Sequence, residues 1–223
     1  MLKFMLLQLH KLIRPKGKIA TISNFTKGSI LDVGSGHTPK KLVKVFKSLK
    51  YLGLDITDHN PTLLPSIGSV VLVEQSNFLP SLKKFRGEFD LVISSHNLEH
   101  VDDRWSVLTE TAYCCKPGGT LYLSFPSARS VLLPRSHSGT LNYFDDPTHA
   151  DLPPDLAQCL MILNHMRFCQ FEIYESYRPL LARIIGSLVV KLDRKSKLKQ
   201  KLGYFMLAFY GFETVVKCRA AGV

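Results

Sequence analysis

The chain has 223 residues, 45% of them hydrophobic, and a formal charge of +11, a size that suits one well-buried domain and excludes two large ones. Five cysteines without a repeated spacing argue against a disulfide framework and for a reducing compartment. No run of about 18 apolar residues is present to span a bilayer, and no C-x-x-C or histidine cluster has the spacing of a structural zinc site, so no metal is expected.

The charge is concentrated at two places. Residues 1–20 carry Lys3, Lys11, Arg14, Lys16 and Lys18 with no acid, and residues 178–201 carry eight basic side chains against Asp193. The remainder is close to neutral, so the body of the domain is not itself basic.

Taken in order, residues 2–13 place Leu2, Met5, Leu6, Leu9, Leu12 and Ile13 at helical spacing, and Pro15 and Gly17 end the helix. A charge inside the run and the lack of a small-residue cleavage site read poorly as a signal peptide. The segment is expected to lie over the domain; with Lys3, Lys11 and Arg14 beside its apolar face, interfacial binding is the sharper alternative. Residues 29–39, S-I-L-D-V-G-S-G-H-T-P, form an apolar run that ends at Asp32 and breaks into Gly34 and Gly36. This reads as a buried strand entering a tight turn that opens a helix, where bare N–H groups face a ligand. Pro39 stands where the dinucleotide fingerprint G-x-G-x-x-G has its third glycine, which disfavours a nicotinamide dehydrogenase. Residues 51–55, Y-L-G-L-D, are a second apolar run ending in an acid, about 20 residues after the turn, the distance at which such folds set a carboxylate on ribose hydroxyls. Further strands are expected at 69–74, at 89–94 (F-D-L-V-I-S, followed by S-H-N-L-E-H-V) and at 116–125 (K-P-G-G-T-L-Y-L-S-F).

These four ordered motifs, covering residues 29–126, resemble the class I S-adenosylmethionine (SAM) methyltransferases. Thr38 departs from the last glycine of the family's D-x-G-x-G-x-G. The resemblance implies an α/β, Rossmann-like seven-stranded, mostly parallel sheet with helices on both faces and an antiparallel last strand, binding SAM at the C-terminal ends of strands one, two and four. It implies cofactor contacts from Asp32, Gly34, Ser35, Gly36, Asp55, Ile56, Asn77 and Ser95. Asp55 would hold the ribose and Ile56 would pack on the adenine. Where the family often has an acid beside the adenine, this chain offers Glu74, Gln75 and Asn77; Gln75 or Asn77 can accept the same hydrogen bond.

Beyond the motifs the residues speak for themselves. Ser95, His96 and Asn97 follow the fourth strand, at the edge where open α/β sheets bind ligands. His96 is a candidate for substrate contact; His100 reads as a structural hydrogen-bonder at a turn. Residues 126–154 lose periodicity, and a loop of that length is functional or disordered; related methyltransferases build a substrate lid there. Within it L-N-Y-F-D-D-P-T-H brings His149 together with Asp145 and Asp146. His149, oriented by one of them, is the candidate base for a hydroxyl acceptor; the plainer alternative is a rigid turn capped by carboxylates. A helix at 155–166 and strands at 168–174 and 212–219 follow. Between those strands, 175–211 is a helical basic insertion in which Leu180, Leu181, Ile184, Ile185, Leu188, Val189 and Leu192 repeat at helical spacing, with Arg183, Ser187 and Lys191 opposite. It reads either as a membrane-surface helix or as a stripe packed on the domain.

The expected protein is therefore a single methyltransferase domain, 1–223, moving a methyl group from SAM to O or N of a small molecule. A sugar or lipid-linked intermediate, met in the cytoplasm at the inner membrane face, suits the basic flanks. An RNA methyltransferase and a catalytically silent SAM-binding scaffold are the alternatives; nucleic acid is disfavoured because the basic run lacks interleaved aromatics.

Overall fold

The computed structural model describes residues 11–25, 27–36, 49–58, 69–135, 141–149, 151–191 and 203–222. Most of the expected helix at 2–13, Thr38, Pro39 and the basic run from 192 to 201 lie outside them.

The expected strands form, with ends shifted by a residue or two: β1 (Gly28–Val33), β2 (Leu49–Asp55), β3 (Ser69–Leu72), β4 (Phe89–Ser95), β5 (Cys115–Pro126), β6 (Phe168–Tyr174) and β7 (Glu213–Ala220). They make one sheet in the order β3-β2-β1-β4-β5-β7-β6. β1 to β5 run parallel, while β7 is antiparallel to both of its neighbours. This is the sheet the motifs implied.

Alternation along the strands explains why the central ones are apolar throughout. Leu91 and Ile93 of β4 face one side, with Ile30, Tyr51, Tyr122 and Val215. Val92 faces the other, with Leu31, Val33, Leu121 and Leu123. A strand covered on both faces has no polar side to show. The first face is covered by α1 (Lys18–Asn24) through Ile22. The second is covered by α2 (Phe78–Lys83), α3 (Arg104–Tyr113) and α4 (Leu156–His165), which contribute Leu82, Leu108 and Leu163 to its core. Helix starts follow the sequence: Asp103 accepts from the Ser106 amide at 3.1 Å and Asp155 from the Gln158 amide at 2.7 Å, capping α3 and α4.

The insertion between β6 and β7 contains α5 (Leu180–Val190) and α6 (Gly203–Tyr210). Gly186 lets the two meet closely, since a Cβ there would lie 2.2 Å from the Phe205 carbonyl oxygen. Ala182, Gly186 and Val189 form the buried face of α5. Leu180, Ile184 and Leu188 lie outward and are 62%, 50% and 62% exposed. The apolar residues of this helix therefore divide into a packed face and an exposed ridge.

Candidate active site

The strand order reverses direction at β1, whose neighbours are β2 and β4, and open α/β sheets bind ligands outside the carboxyl ends of strands at such a switch point. Register brings the ends level: Val33 pairs with Leu54 on one side and with Ser94 on the other. The next residues, Gly34, Asp55 and Ser95, therefore share one edge.

Backbone chemistry builds the turn there. Gly34 N–H donates to the Leu54 carbonyl at 2.9 Å, and Gly34 and Gly36 take φ of +68° and +54°, the left-handed region glycine enters without a Cβ penalty. Gly34 also has no room for a side chain, because a Cβ would lie 2.7 Å from Asn97 Oδ1. At Gly36 a Cβ would meet no described atom within 4 Å. The Asn97 amide nitrogen is buried without a hydrogen-bond partner among the described residues.

Asp55 closes the turn from the second strand. Its Oδ2 accepts from the Gly36 amide at 2.7 Å and the buried Ser35 hydroxyl at 3.4 Å, and its Oδ1 from the Ile56 and Thr57 amides. Ile56 follows at 52% exposure, an apolar shelf beside that carboxylate. Asn77 is exposed at the end of a 3-10 turn (Gln75–Asn77) and makes no side-chain cap. Asp32 stands apart from these residues. It is wholly buried, with Oδ2 taking the Tyr51 hydroxyl at 2.6 Å and Oδ1 lying 2.8 Å from Lys18 Nζ. Its carboxylate points to the α1 side of the sheet, behind the turn.

On the β4–β5 side the Ser95 and Ser124 hydroxyls pair at 2.8 Å. His96 adopts φ of +51°, a conformation uncommon outside glycine and found at constrained sites. Its Nδ1 lies 2.9 Å from Glu99 Oε1 and its Nε2 3.2 Å from Glu213 Oε1. Arg14 pairs with Glu213 in turn. With a carboxylate facing each ring nitrogen, His96 presents neither nitrogen unengaged to an acceptor and acts as a cross-link between the end of β4 and β7.

The loop after β5 folds back over this edge. A 3-10 turn (Tyr143–Asp145) starts in a capping box in which Asn142 accepts from the Phe144 amide and Asp145 from the Asn142 amide. Asp145 is thereby committed to the turn. The carboxylate nearest His149 is Asp146, 3.9 Å from Nε2. His149 Nδ1 meets the Tyr143 carbonyl at 2.6 Å, which keeps the proton on Nδ1 and the lone pair on Nε2. The ring stacks on Tyr143 and lies 4.9 Å from His100, centroid to centroid. Burial, opposed by Arg104, pushes the Tyr143 phenol up to about 12, so it stays neutral. His100 Nδ1 is held by the Thr148 hydroxyl at 2.9 Å, as a turn-binding histidine should be.

Sequence reasoning assigns no site role to Glu99, Glu213 or Arg14. Asn97 and Glu99 sit in the motif S-H-N-L-E-H-V, where their residue types were visible; Glu213 and Arg14 reach the edge only through the placement of β7 and of the segment before α1.

The model of a methyltransferase-domain family matches residues 5–161, the part of the chain that builds this edge. The chain belongs to that family. Among solved structures, a SAM-dependent methyltransferase from Archaeoglobus fulgidus is 20% identical over 95% of this chain and 98% of that one, with a TM-score of 0.58. A phosphoethanolamine N-methyltransferase from Haemonchus contortus, in complex with S-adenosylhomocysteine, is 14% identical over 92% of this chain and 52% of that one, with a TM-score of 0.57. The [4+2]-cyclase SpnF is 14% identical over 97% of this chain and 82% of that one, with a TM-score of 0.54. Such likenesses carry the fold and not the reaction. No curated protein matches the sequence. As a class I methyltransferase the protein uses SAM as its cofactor, and the turn fits it: a glycine pair at positive φ, a carboxylate at the next strand end, an exposed Ile56 and the buried Asn97 amide.

Proposed function

We propose that this methyltransferase transfers the SAM methyl group to oxygen or nitrogen of a small molecule, a sugar or a lipid-linked intermediate. Bound SAM supplies an electrophilic methyl on a sulfonium centre. In this reading Gly34, Ser35 and Gly36 receive the amino-acid end through backbone, with Asn97 as donor and Asp32 supporting the turn from behind. Asp55 releases part of its hold on the Gly36 amide to accept the ribose hydroxyls, and Ile56 packs on the adenine with Asn77 and Ser95 at the rim. His149 is the residue through which the acceptor loses its proton. The observation that carries this assignment is the geometry of the His149 ring, held through Nδ1 by the Tyr143 carbonyl at 2.6 Å so that the lone pair stays on Nε2, 3.9 Å from Asp146, on a loop anchored beside β4.

The insertion supports a lipid-linked acceptor in this reading. Leu180, Ile184 and Leu188 form an exposed apolar ridge flanked by the exposed Arg183 and Lys191, the composition of a helix that lies in an anionic membrane surface. No helix among the described residues is long and apolar enough to cross a membrane; in this reading attachment is peripheral, at the inner face.

Two experiments test the reading. Calorimetry with SAM should give one site that Asp55→Ala weakens by about 10- to 100-fold, the loss of charge-assisted hydrogen bonds; a folded wild type that takes up no SAM overturns it. Flotation with anionic vesicles at low salt should carry the wild type and leave Ile184→Glu/Leu188→Glu behind. Equal behaviour of the two proteins would remove the membrane assignment.

A further inference from the structure

Glu99, His100 and His149 each bring one ligand atom within 4.8 Å of the others. They come from two segments, the 3-10 turn after β4 (Leu98–His100) and the loop after β5, so no sequence spacing announces them. Four features separate this group from a chance meeting of polar residues. Glu99 is 0% exposed, yet its Oε2 has no hydrogen-bond partner among the described residues, its other oxygen being taken by His96. A bare carboxylate oxygen in that position costs free energy unless a cation or donor meets it. His149 directs Nδ1 to the Tyr143 carbonyl at 2.6 Å and His100 directs Nδ1 to the Thr148 hydroxyl at 2.9 Å. Both rings thus keep the Nε2 lone pair and have the outer hydrogen bond that metal-bound histidines carry. Asp146 stands 3.9 Å from His149 Nε2 through Oδ2, while its Oδ1 is fixed by the Thr148 amide and hydroxyl at 2.9 and 2.6 Å.

We infer that Glu99, His100 and His149 bind one divalent transition-metal cation at the acceptor side of the site, with Asp146 beside it. Two imidazoles and a carboxylate suit zinc, cobalt or manganese, and disfavour magnesium and calcium, which take oxygen ligands. Three protein ligands leave a position open for an exogenous oxygen. The consequence for catalysis rests on the methyl-transfer reading. An acceptor hydroxyl on the cation releases its proton to water, and its oxygen forms the new bond to the methyl carbon. The S–CH3 bond breaks and the cofactor leaves as the neutral thioether. The acceptor is then a hydroxyl compound, and His149 works through the cation it holds.

The test uses the full chain, stripped with chelator, and Co2+ as the probe, followed by its visible ligand-field absorption and by calorimetry, without SAM or acceptor. One equivalent should bind and produce the absorption of a low-coordinate, nitrogen-ligated cobalt ion. Glu99→Gln and His149→Ala should weaken it by 100-fold or more. His100→Ala, at a partly exposed position where folding is not at stake, should weaken it by at least 10-fold. No saturable absorption in the wild type overturns the inference. So does affinity unchanged by His100→Ala, which would locate the ion elsewhere. A separate SAM titration of the stripped protein reports on the methyl-transfer reading, so failure of one is distinct from failure of the other.

Discussion

Lys18, the first residue of α1, reaches into the sheet and sets its ammonium 2.8 Å from the carboxylate of Asp32, a side chain with no exposed surface. The pair ties the helix before β1 to the strand that carries the glycine turn. Burial raises the Asp32 pKa, and Lys18 and the Tyr51 hydroxyl oppose it. Lys18→Met would leave the carboxylate buried with Tyr51 alone, a loss of about 3–5 kcal/mol. The pH dependence has a definite sign. A carboxyl whose folded pKa is raised binds protons better folded than unfolded, so its contribution is greatest at low pH and declines as pH rises through the folded value. The deficit of Lys18→Met against wild type should therefore be largest near neutrality and shrink on acidification. Adding Asp32→Asn should recover much of it, as urea midpoints at pH 5 and 7 would record.

Gly34 and Gly36 share a positive φ but differ in surroundings. At Gly34 a Cβ would collide with Asn97, 2.7 Å away; at Gly36 it would meet nothing within 4 Å among the described residues. Gly36→Ala should cost only the left-handed backbone penalty, about 1 kcal/mol. Gly34→Ala must also displace Asn97, a residue proposed to face the cofactor, and should abolish measurable SAM binding. Calorimetry on the two variants separates conformational cost from steric cost. Comparable affinities would show that Asn97 moves freely.

The cofactor half of this edge was legible because each strand end carries its own mark. Asp32, Gly34, Gly36 and Asp55 are local signals, and parallel register then brings Gly34, Asp55 and Ser95 level. The seven-stranded sheet was legible for the same reason, since every strand is a short apolar run bounded by turn residues. Asp32 misled, because a strand residue's side of the sheet depends on which helix covers that face. Lys18 comes from such a helix, and its partner could not be read from spacing. Placing Asp145 and Asp146 on equal terms beside His149 had a similar cause. Which of two adjacent acids caps a turn depends on the backbone geometry of Asn142. His96 read as open to substrate because the carboxylates that engage it, Glu99 and Glu213, enter from outside its own strand.

At the opposite edge of the sheet, Asp90 accepts from the Ser29 amide and hydroxyl, each at 2.8 Å, and from Lys116 at 2.9 Å. Burial disfavours its charge, but the Ser29 amide, Lys116 and the Ser29 hydroxyl together bring its pKa down from 3.8 to about 2. A depressed carboxyl stabilises the fold above its unfolded value, and that contribution disappears as pH falls through the folded one. Its side chain is 38% exposed, so solvent screening reduces the effect to about 1 kcal/mol. Asp90→Asn should lower stability by that amount at pH 5 to 7. The difference from wild type should fade between pH 4 and 2, where denaturant titrations at stepped pH would follow it.

The cysteines offer a test of packing that involves no ligand. Cys114, Cys115, Cys159 and Cys218 are buried, whereas Cys169, on β6, is exposed. Burial pushes Cys114, Cys159 and Cys218 up to about 12, and the thiolate is the reactive form. An aromatic disulfide reagent at pH 8 should therefore label one thiol in the native protein within minutes and all five only in denaturant. Cys169→Ser should remove the fast phase entirely. A fast phase that survives in Cys169→Ser would mean that β7, which carries Cys218, opens readily from its place between β5 and β6. Because Glu213 at the start of β7 holds both Arg14 and His96, such opening would also dismantle the acceptor side of the site. The slow labelling rate in Cys169→Ser thus measures how firmly that side is held, and Glu213→Gln should accelerate it.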